Sequence, residues 1–312
     1  MCGGINMTTY TNAMRRRGIL LVLAAAVFWA AGGAVTQFLF HTQHLSPEWL
    51  VTIRMLLAGT LILVPTACQN VRELFLIWRS PDSRRQLLIF AIFGMMLMQY
   101  SYFVAIQTSN AATATILQYL APSMIALYSI IRARTLPTLV QVVTILFALA
   151  GTFLLVTKGD IHSLALSPTA IAWGIFSAGT LAFYTVYPSH HLIRWPSPIL
   201  LGWAMIIGGI AMIPLGQPWQ FVGEASLTSL AGILFIIIFG TICSFYCFLE
   251  SIKYITPQEA GTLASSEALF VVLLSIAFLS TPFHLLDWIG GACIVLTVIL
   301  LARQPSNPKR HK

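Results

Sequence analysis

An all-α integral membrane protein of ten transmembrane helices, arranged as two inverted-topology five-helix repeats, is the fold class this sequence predicts. Three observations carry it. Of 312 residues, 58% are hydrophobic and 8% charged, against about 25% charged in soluble domains. Apolar stretches long enough to cross a bilayer recur along the whole chain. Basic residues fall almost entirely on one side of the alternation those stretches define.

Hydropathy places the spans at 19–40, 47–67, 87–108, 111–132, 137–157, 168–189, 197–215, 228–252, 258–280 and 283–302. The first follows Arg15, Arg16 and Arg17 and resembles the start of a signal peptide. It runs on to Phe40, past an h-region of roughly 7–15 residues, and is expected to stay as an anchor. With the N-terminus in the cytoplasm, fifteen of the seventeen Lys and Arg lie in inner segments. Lys158 is outside and Arg54 within a span. That asymmetry predicts a cell inner (plasma) membrane protein with both termini cytoplasmic. The net charge of +8 then signals topology and anionic-lipid contact, with no nucleic acid as partner.

A shift of 146 residues lays "AIQTSNAATATILQYLAP" (105–122) on "SIKYITPQEAGTLASSEA" (251–268). Each segment begins at a polar turn, passes through small residues and reaches a polar position in mid-helix. Each half holds an odd number of spans, so the second must insert upside down. Inverted repeats around a midplane site are a device of secondary transporters. The expected organisation is an N-terminal cytoplasmic tail (1–18), a first repeat (19–157), an external linker (158–167), a second repeat (168–302) and a basic cytoplasmic tail (303–312).

Other chemistries leave no trace. The sequence holds no G-x-S-x-G, no H-E-x-x-H and no G-x(4)-G-K-[ST], which argues against an intramembrane hydrolase or an ATP-driven pump. His41, His44, His190 and His191 lack the neighbours of a metal site. Cys243 and Cys247 sit four apart on an apolar helix without further ligands. No enzyme activity, cofactor or metal is expected. A channel would call for repeated filter-like loops, and none appears.

Ten spans, Pro47-x(6)-Arg54 opening span 2, and "TSNAATATILQYLAPSMIALYS" in span 4 together resemble the drug/metabolite transporter superfamily, EamA type, over residues 18–302. Two departures stand out: Ala268 replaces the family's usual span 9 proline, and the acidic residue that often follows spans 4 and 9 is missing. The resemblance implies export or exchange of small organic metabolites, often amino acids, by alternating access. Sugar-phosphate or nucleotide-sugar-like exchange is the alternative within the superfamily, but it asks for several buried cations. The resemblance also implies a cavity lined by spans 1, 3, 4, 6, 8 and 9. Mid-span polar groups should face away from lipid, so the candidate substrate-binding residues are Glu267, Gln118, Gln99, Tyr100, Trp29, Tyr119, Tyr184, Tyr246 and Arg54. Gln37, Tyr102, Tyr187 and Ser244 are further pathway candidates, and Ala260, Ala264 and Ala268 form a small-residue stripe for packing.

Glu267 is the sharpest of these. No charged residue lies within seven positions of it, and counting from residue 258 it is about 13 Å deep. Three readings are open: a protonated hydrogen-bonding group, a permanent partner of Arg54, or a site for a substrate cation or coupling proton. Expected partners are thus a small-molecule substrate, membrane lipid and a coupling proton, with a homodimer left open.

Overall fold

The computed structural model describes residues 7–133, 138–157, 166–191, 195–251, 254–255, 263–264, 266–279 and 284–302. Most of the expected linker at 158–167, the start of span 9 with Ala260 and Gly261, and the tail from 303 lie outside them. Among the described residues every regular element is helical. Backbone groups in hydrocarbon have no water to bond, and a helix satisfies them within one segment.

Helices α1 (Met7–His41) and α2 (Pro47–Arg79) are followed by α3 (Pro81–Ile89), a π-helical turn over Phe90–Met96, and α4 (Leu97–Thr108) as one rod. Then come α5 (Ala111–Gln118), α6 (Ala121–Ala133), α7 (Leu139–Thr157), α8 (Pro168–His191) and α9 (Ser197–Gly216). A second interrupted rod joins α10 (Leu227–Ile237), a π turn over Ile238–Cys243 and α11 (Ser244–Ser251). Helices α12 (Ser266–Leu279) and α13 (Leu285–Ala302) complete the order. Among the described residues six helices are apolar and long enough to cross a membrane, and three apolar stretches are shorter: Val142–Leu154, Ser266–Leu279 and Leu285–Thr297. Large apolar side chains such as Leu20, Leu61, Phe93 and Phe278 project outward. In water that perimeter would be a liability; in lipid it is a solvent-matched surface.

Helix α2 outlasts the span expected at 47–67. It bends at Asn70, whose backbone leaves helical space (φ −158°, ψ 89°), and the Asn70 side chain accepts the backbone N–H of Glu73 at 3.4 Å. Asn70 therefore starts a new helical run, as a side-chain acceptor at an N-cap does. In that run Val71, Phe75 and Leu76 are exposed, and the Trp203 indole donates to the Leu74 carbonyl at 2.9 Å.

Helix α2 packs along α9, α7 along α13, α4 along α8, and α1 against the α10–α11 rod and α12. Glycine permits the closest of these contacts. A Cβ on Gly151 would lie 2.6 Å from the Gly290 carbonyl oxygen, and one on Gly32 would lie 3.1 Å from the Gly240 Cα. At one end of the bundle the α1–α2 turn is sewn to the 217–226 loop. Gln43 Oε1 accepts from the Ser226 and Ser229 hydroxyls, each at 2.8 Å, and the Glu224 N–H donates to the Gln43 carbonyl at 2.9 Å.

Candidate functional site

Two helix interruptions bring the site's side chains together. Helix α5 stops at Gln118, Tyr119 and Leu120 form a turn, and α6 resumes at Ala121. Pro122 has no N–H with which to reach the Gln118 carbonyl, which is why the helix breaks there. The start of α5 is held by two side chains: Asn110 accepts from Thr113 N–H at 2.8 Å and Gln37 Oε1 from Ala111 N–H at 2.8 Å. Gln37 thus has a backbone-capping role, tying α1 to α5.

At the break, the Tyr119 hydroxyl lies 3.1 Å from Glu267 Oε2 and 3.1 Å from the Ala264 carbonyl oxygen. One turn earlier on α5, Thr115 shares a 2.7 Å hydrogen bond with the Tyr102 hydroxyl of α4. Gly33 of α1 faces the same point: a Cβ there would lie 3.3 Å from the Tyr102 oxygen and 3.5 Å from Val271, one turn beyond Glu267. Glu267, Tyr119, Thr115 and Tyr102 therefore form a string of polar groups where α1, α4, α5 and α12 converge. Gln118, next to Tyr119, donates to the Ser177 hydroxyl of α8 at 2.8 Å.

Arg54 lies elsewhere on this surface and makes no ion pair with Glu267. Among the described residues no carboxylate lies within ion-pair distance of it. Its Nε donates to the Thr241 hydroxyl at 2.7 Å, and its guanidinium carbon sits 5.0 Å from the centroid of the Phe103 ring. Phe103 follows Tyr102 in α4, so Arg54 lies near the string.

The remaining candidates divide. Gln99 is buried beside Met95, and its Oε1 has no hydrogen-bond partner among the described residues. Tyr100 donates to Glu48 Oε1 at 2.9 Å, and Trp173 stands edge-on to its ring at 5.6 Å. Trp29 packs against Phe245 and Phe248, and Tyr184 stacks on Phe90. These last two fill space between helices. Ser244 bonds the Thr241 carbonyl of its own helix at 3.0 Å. Tyr246 is 65% exposed and stands away from the cluster. It is two residues after buried Ser244, and at about 100° per residue that puts it on the opposite face. Thr115, Thr241, Phe103 and Glu48 were not among the sequence candidates. Hydroxyls and a span-end acid look ordinary in sequence, and only their partners across helices single them out.

The EamA-like transporter family model matches residues 16–157 and again 168–303. The chain is 36% identical over 289 residues to an uncharacterized inner membrane transporter, YicL, of Salmonella typhimurium, covering 92% of this chain and 95% of that protein. It is 24% identical to an uncharacterized transporter, YwfM, of Bacillus subtilis over 93% of this chain and 95% of the relative. It is 25% identical over 276 residues to the threonine/homoserine exporter RhtA of Escherichia coli, covering 86% of each. A solved crystal structure aligns with 94% of this chain and 96% of its own at a TM-score of 0.56 and 17% identity, a likeness of fold alone.

Proposed function

The chain belongs to the EamA-like transporter family, and from that premise we propose that it is a secondary transporter, an exporter or exchanger, of small amino-acid-like metabolites. It is a multi-pass membrane protein, and its named relatives are transporters. The alternating element is the pair of five-helix halves, 19–157 and 168–302, inverted with respect to each other.

Several features support the inverted pair. The family model matches each half in turn. The two π turns carry the same letters, Ile92-Phe93-Gly94 and Ile238-Phe239-Gly240, 146 residues apart. Helix contacts also recur under a shift of five spans: α2 with α9 and α7 with α13 map onto themselves, while α4 with α8 maps onto the α10–α11 rod with α1.

The observation that carries the functional reading is Glu267, an acid in mid-span whose partner is the hydroxyl of Tyr119 and not the guanidinium of Arg54. An intramembrane acid with no cation paired to it among the described residues is a functional-site hypothesis by default. It suits a substrate ammonium or an exchangeable proton. Gln118 and Tyr119 beside it offer an amide and an amphipathic ring to an organic solute. The name of the Escherichia coli relative makes threonine and homoserine the first solutes to try.

The test is solute counterflow in proteoliposomes holding the purified protein, with threonine, homoserine and a wider amino-acid panel, with and without a pH gradient. Accelerated exchange over empty liposomes supports the proposal. Absence of exchange for the whole panel, with turnover of a membrane-soluble ester or amide in its place, would favour the intramembrane enzyme.

A further inference from the structure

Arg54 presents unsatisfied donors in a buried place. A guanidinium carries five N–H donors in a rigid planar fork and has no acceptor. Nε is used by Thr241 at 2.7 Å, and one face lies over the Phe103 ring. Among the described residues nothing accepts a hydrogen bond from Nη1 or Nη2, although the residue is only 9% exposed. The open edge, Nη1 with Nη2, is one that binds a carboxylate in parallel, two bonds at once.

Thr241 fixes that edge in place. Its hydroxyl gives its one hydrogen to the Ile236 carbonyl five residues back, at 2.9 Å, a reach that suits the wide π turn over Ile238–Cys243. With the hydrogen committed there, a lone pair faces Arg54 Nε. The bulged helix thus orients the hydroxyl, the hydroxyl orients the guanidinium, and the ring beneath stops it from turning.

We propose that the Nη1–Nη2 edge of Arg54, positioned by Thr241 and Phe103, is the subsite for the carboxylate of the transported metabolite. The proposal rests on the transport function above and narrows its substrate to molecules bearing a single carboxylate. Arg54 is the only basic side chain buried among the described residues, which matches one negative charge. A phosphate dianion would leave an excess charge in a medium that penalises it. Tyr102, next to Phe103, bonds Thr115, one turn before the Tyr119 that holds Glu267. A ligand spanning Arg54 and Glu267 would place an anionic group at one and a cationic group at the other.

The probes are matched pairs: the twenty amino acids and short hydroxy acids, their carboxamides, the corresponding amines, and inorganic phosphate. Binding is read as thermal stabilisation and titrated affinity of the full-length protein in detergent, and each binding probe is then tried in counterflow. In the wild type at least one carboxylate should bind roughly 10- to 100-fold more tightly than its carboxamide, the size of a charge-assisted pair. Arg54→Gln should bring that ratio near unity. Thr241→Val should do the same with the charge still present, and Thr241→Ser should keep the wild-type ratio. If Arg54→Gln does not fold, Thr241→Val carries the test alone.

Binding by amines or phosphate only, by no carboxylate at all, or a ratio untouched by Thr241→Val would overturn the subsite. The two proposals fail separately. Counterflow of an amine unaffected by Arg54→Gln would keep transport and remove the subsite. Carboxylate binding that needs Arg54, without counterflow of any probe, would do the reverse.

Discussion

Tyr119 has one hydroxyl hydrogen and two oxygen neighbours at the same distance, the Ala264 carbonyl and Glu267 Oε2, each 3.1 Å away. A phenol donates once. Two full-strength bonds can coexist only if Glu267 carries a proton and donates it to Tyr119, which then donates to Ala264. When Glu267 ionises, the phenol hydrogen turns to the carboxylate and the Ala264 carbonyl loses its donor. Protonation of Glu267 is thereby tied to a bond between α5 and the segment leading into α12, which belong to opposite halves. Glu267→Gln should fold and reach the membrane, lose most transport, and leave the remainder indifferent to a pH gradient. Tyr119→Phe keeps the acid but cuts the link, and should slow transport by about 10- to 100-fold, the worth of a hydrogen bond to a charged group. Proteoliposome uptake at a series of internal and external pH values checks both. Wild-type rates with an unchanged pH profile in either variant would leave Glu267 a structural group. Glu267 was legible in the sequence because a lone acid in an apolar run is costly to bury and stands out against its neighbours. Its tie to Tyr119 was not, since the two are 148 positions apart and local spacing carries no such contact. Tyr246 shows the converse: a polar ring on a span expected to line the cavity still faces outward when it sits on the wrong side of the helix.

At the scale of the element, hydropathy locates helices well and describes their interiors poorly. A window of about 20 residues averages over single turns, so the bend at Asn70, the break at Tyr119 and both π turns pass unseen. A clue was nonetheless present, since Ile-Phe-Gly recurs at 92–94 and 238–240, at the spacing that relates the two halves. π turns often coincide with functional sites, and here one of them carries Thr241. Helix contacts at glycine are equally hidden, because a glycine at an interface and one facing open space look alike. Gly151 and Gly179 separate the cases. A Cβ at Gly151 would meet backbone, the Gly290 carbonyl oxygen, at 2.6 Å, whereas one at Gly179 would meet nothing within 4 Å. Gly151→Ala should lower stability by about 1–3 kcal/mol, the usual cost of overpacking. Gly179→Ala should be neutral or raise it by about 0.5–1 kcal/mol, since alanine restricts the unfolded chain. Thermal denaturation of the two purified variants in the same detergent gives the comparison. Equal shifts would mean that α7 and α13 do not meet at this glycine.

At the scale of the whole molecule, orientation and symmetry stand on a single count. If each half crosses the membrane five times, the halves are inverted and both termini share a side. One span more or fewer would put the termini on opposite faces, and in the first half it would also make the halves parallel. The distribution of charge answers to the same count. Fifteen Lys and Arg occupy segments that ten spans would place inside, against Lys158 alone outside. Losing a span would scatter them over both faces, contrary to the bias that sets topology. Arg79 ends α2 and is exposed, and Asp160 belongs to the segment joining the halves. In a cysteine-free background, Asp160→Cys should react with a membrane-impermeant maleimide in intact cells, and Arg79→Cys only after permeabilisation. Equal labelling of both in intact cells would remove the ten-span arrangement, and the inverted pair of halves with it. Reversed labelling would keep the count but turn the molecule over, placing the Gln43–Ser226 seam in the cytoplasm. The charge count predicts neither, because either would leave basic residues on the face that membrane insertion normally keeps poor in them.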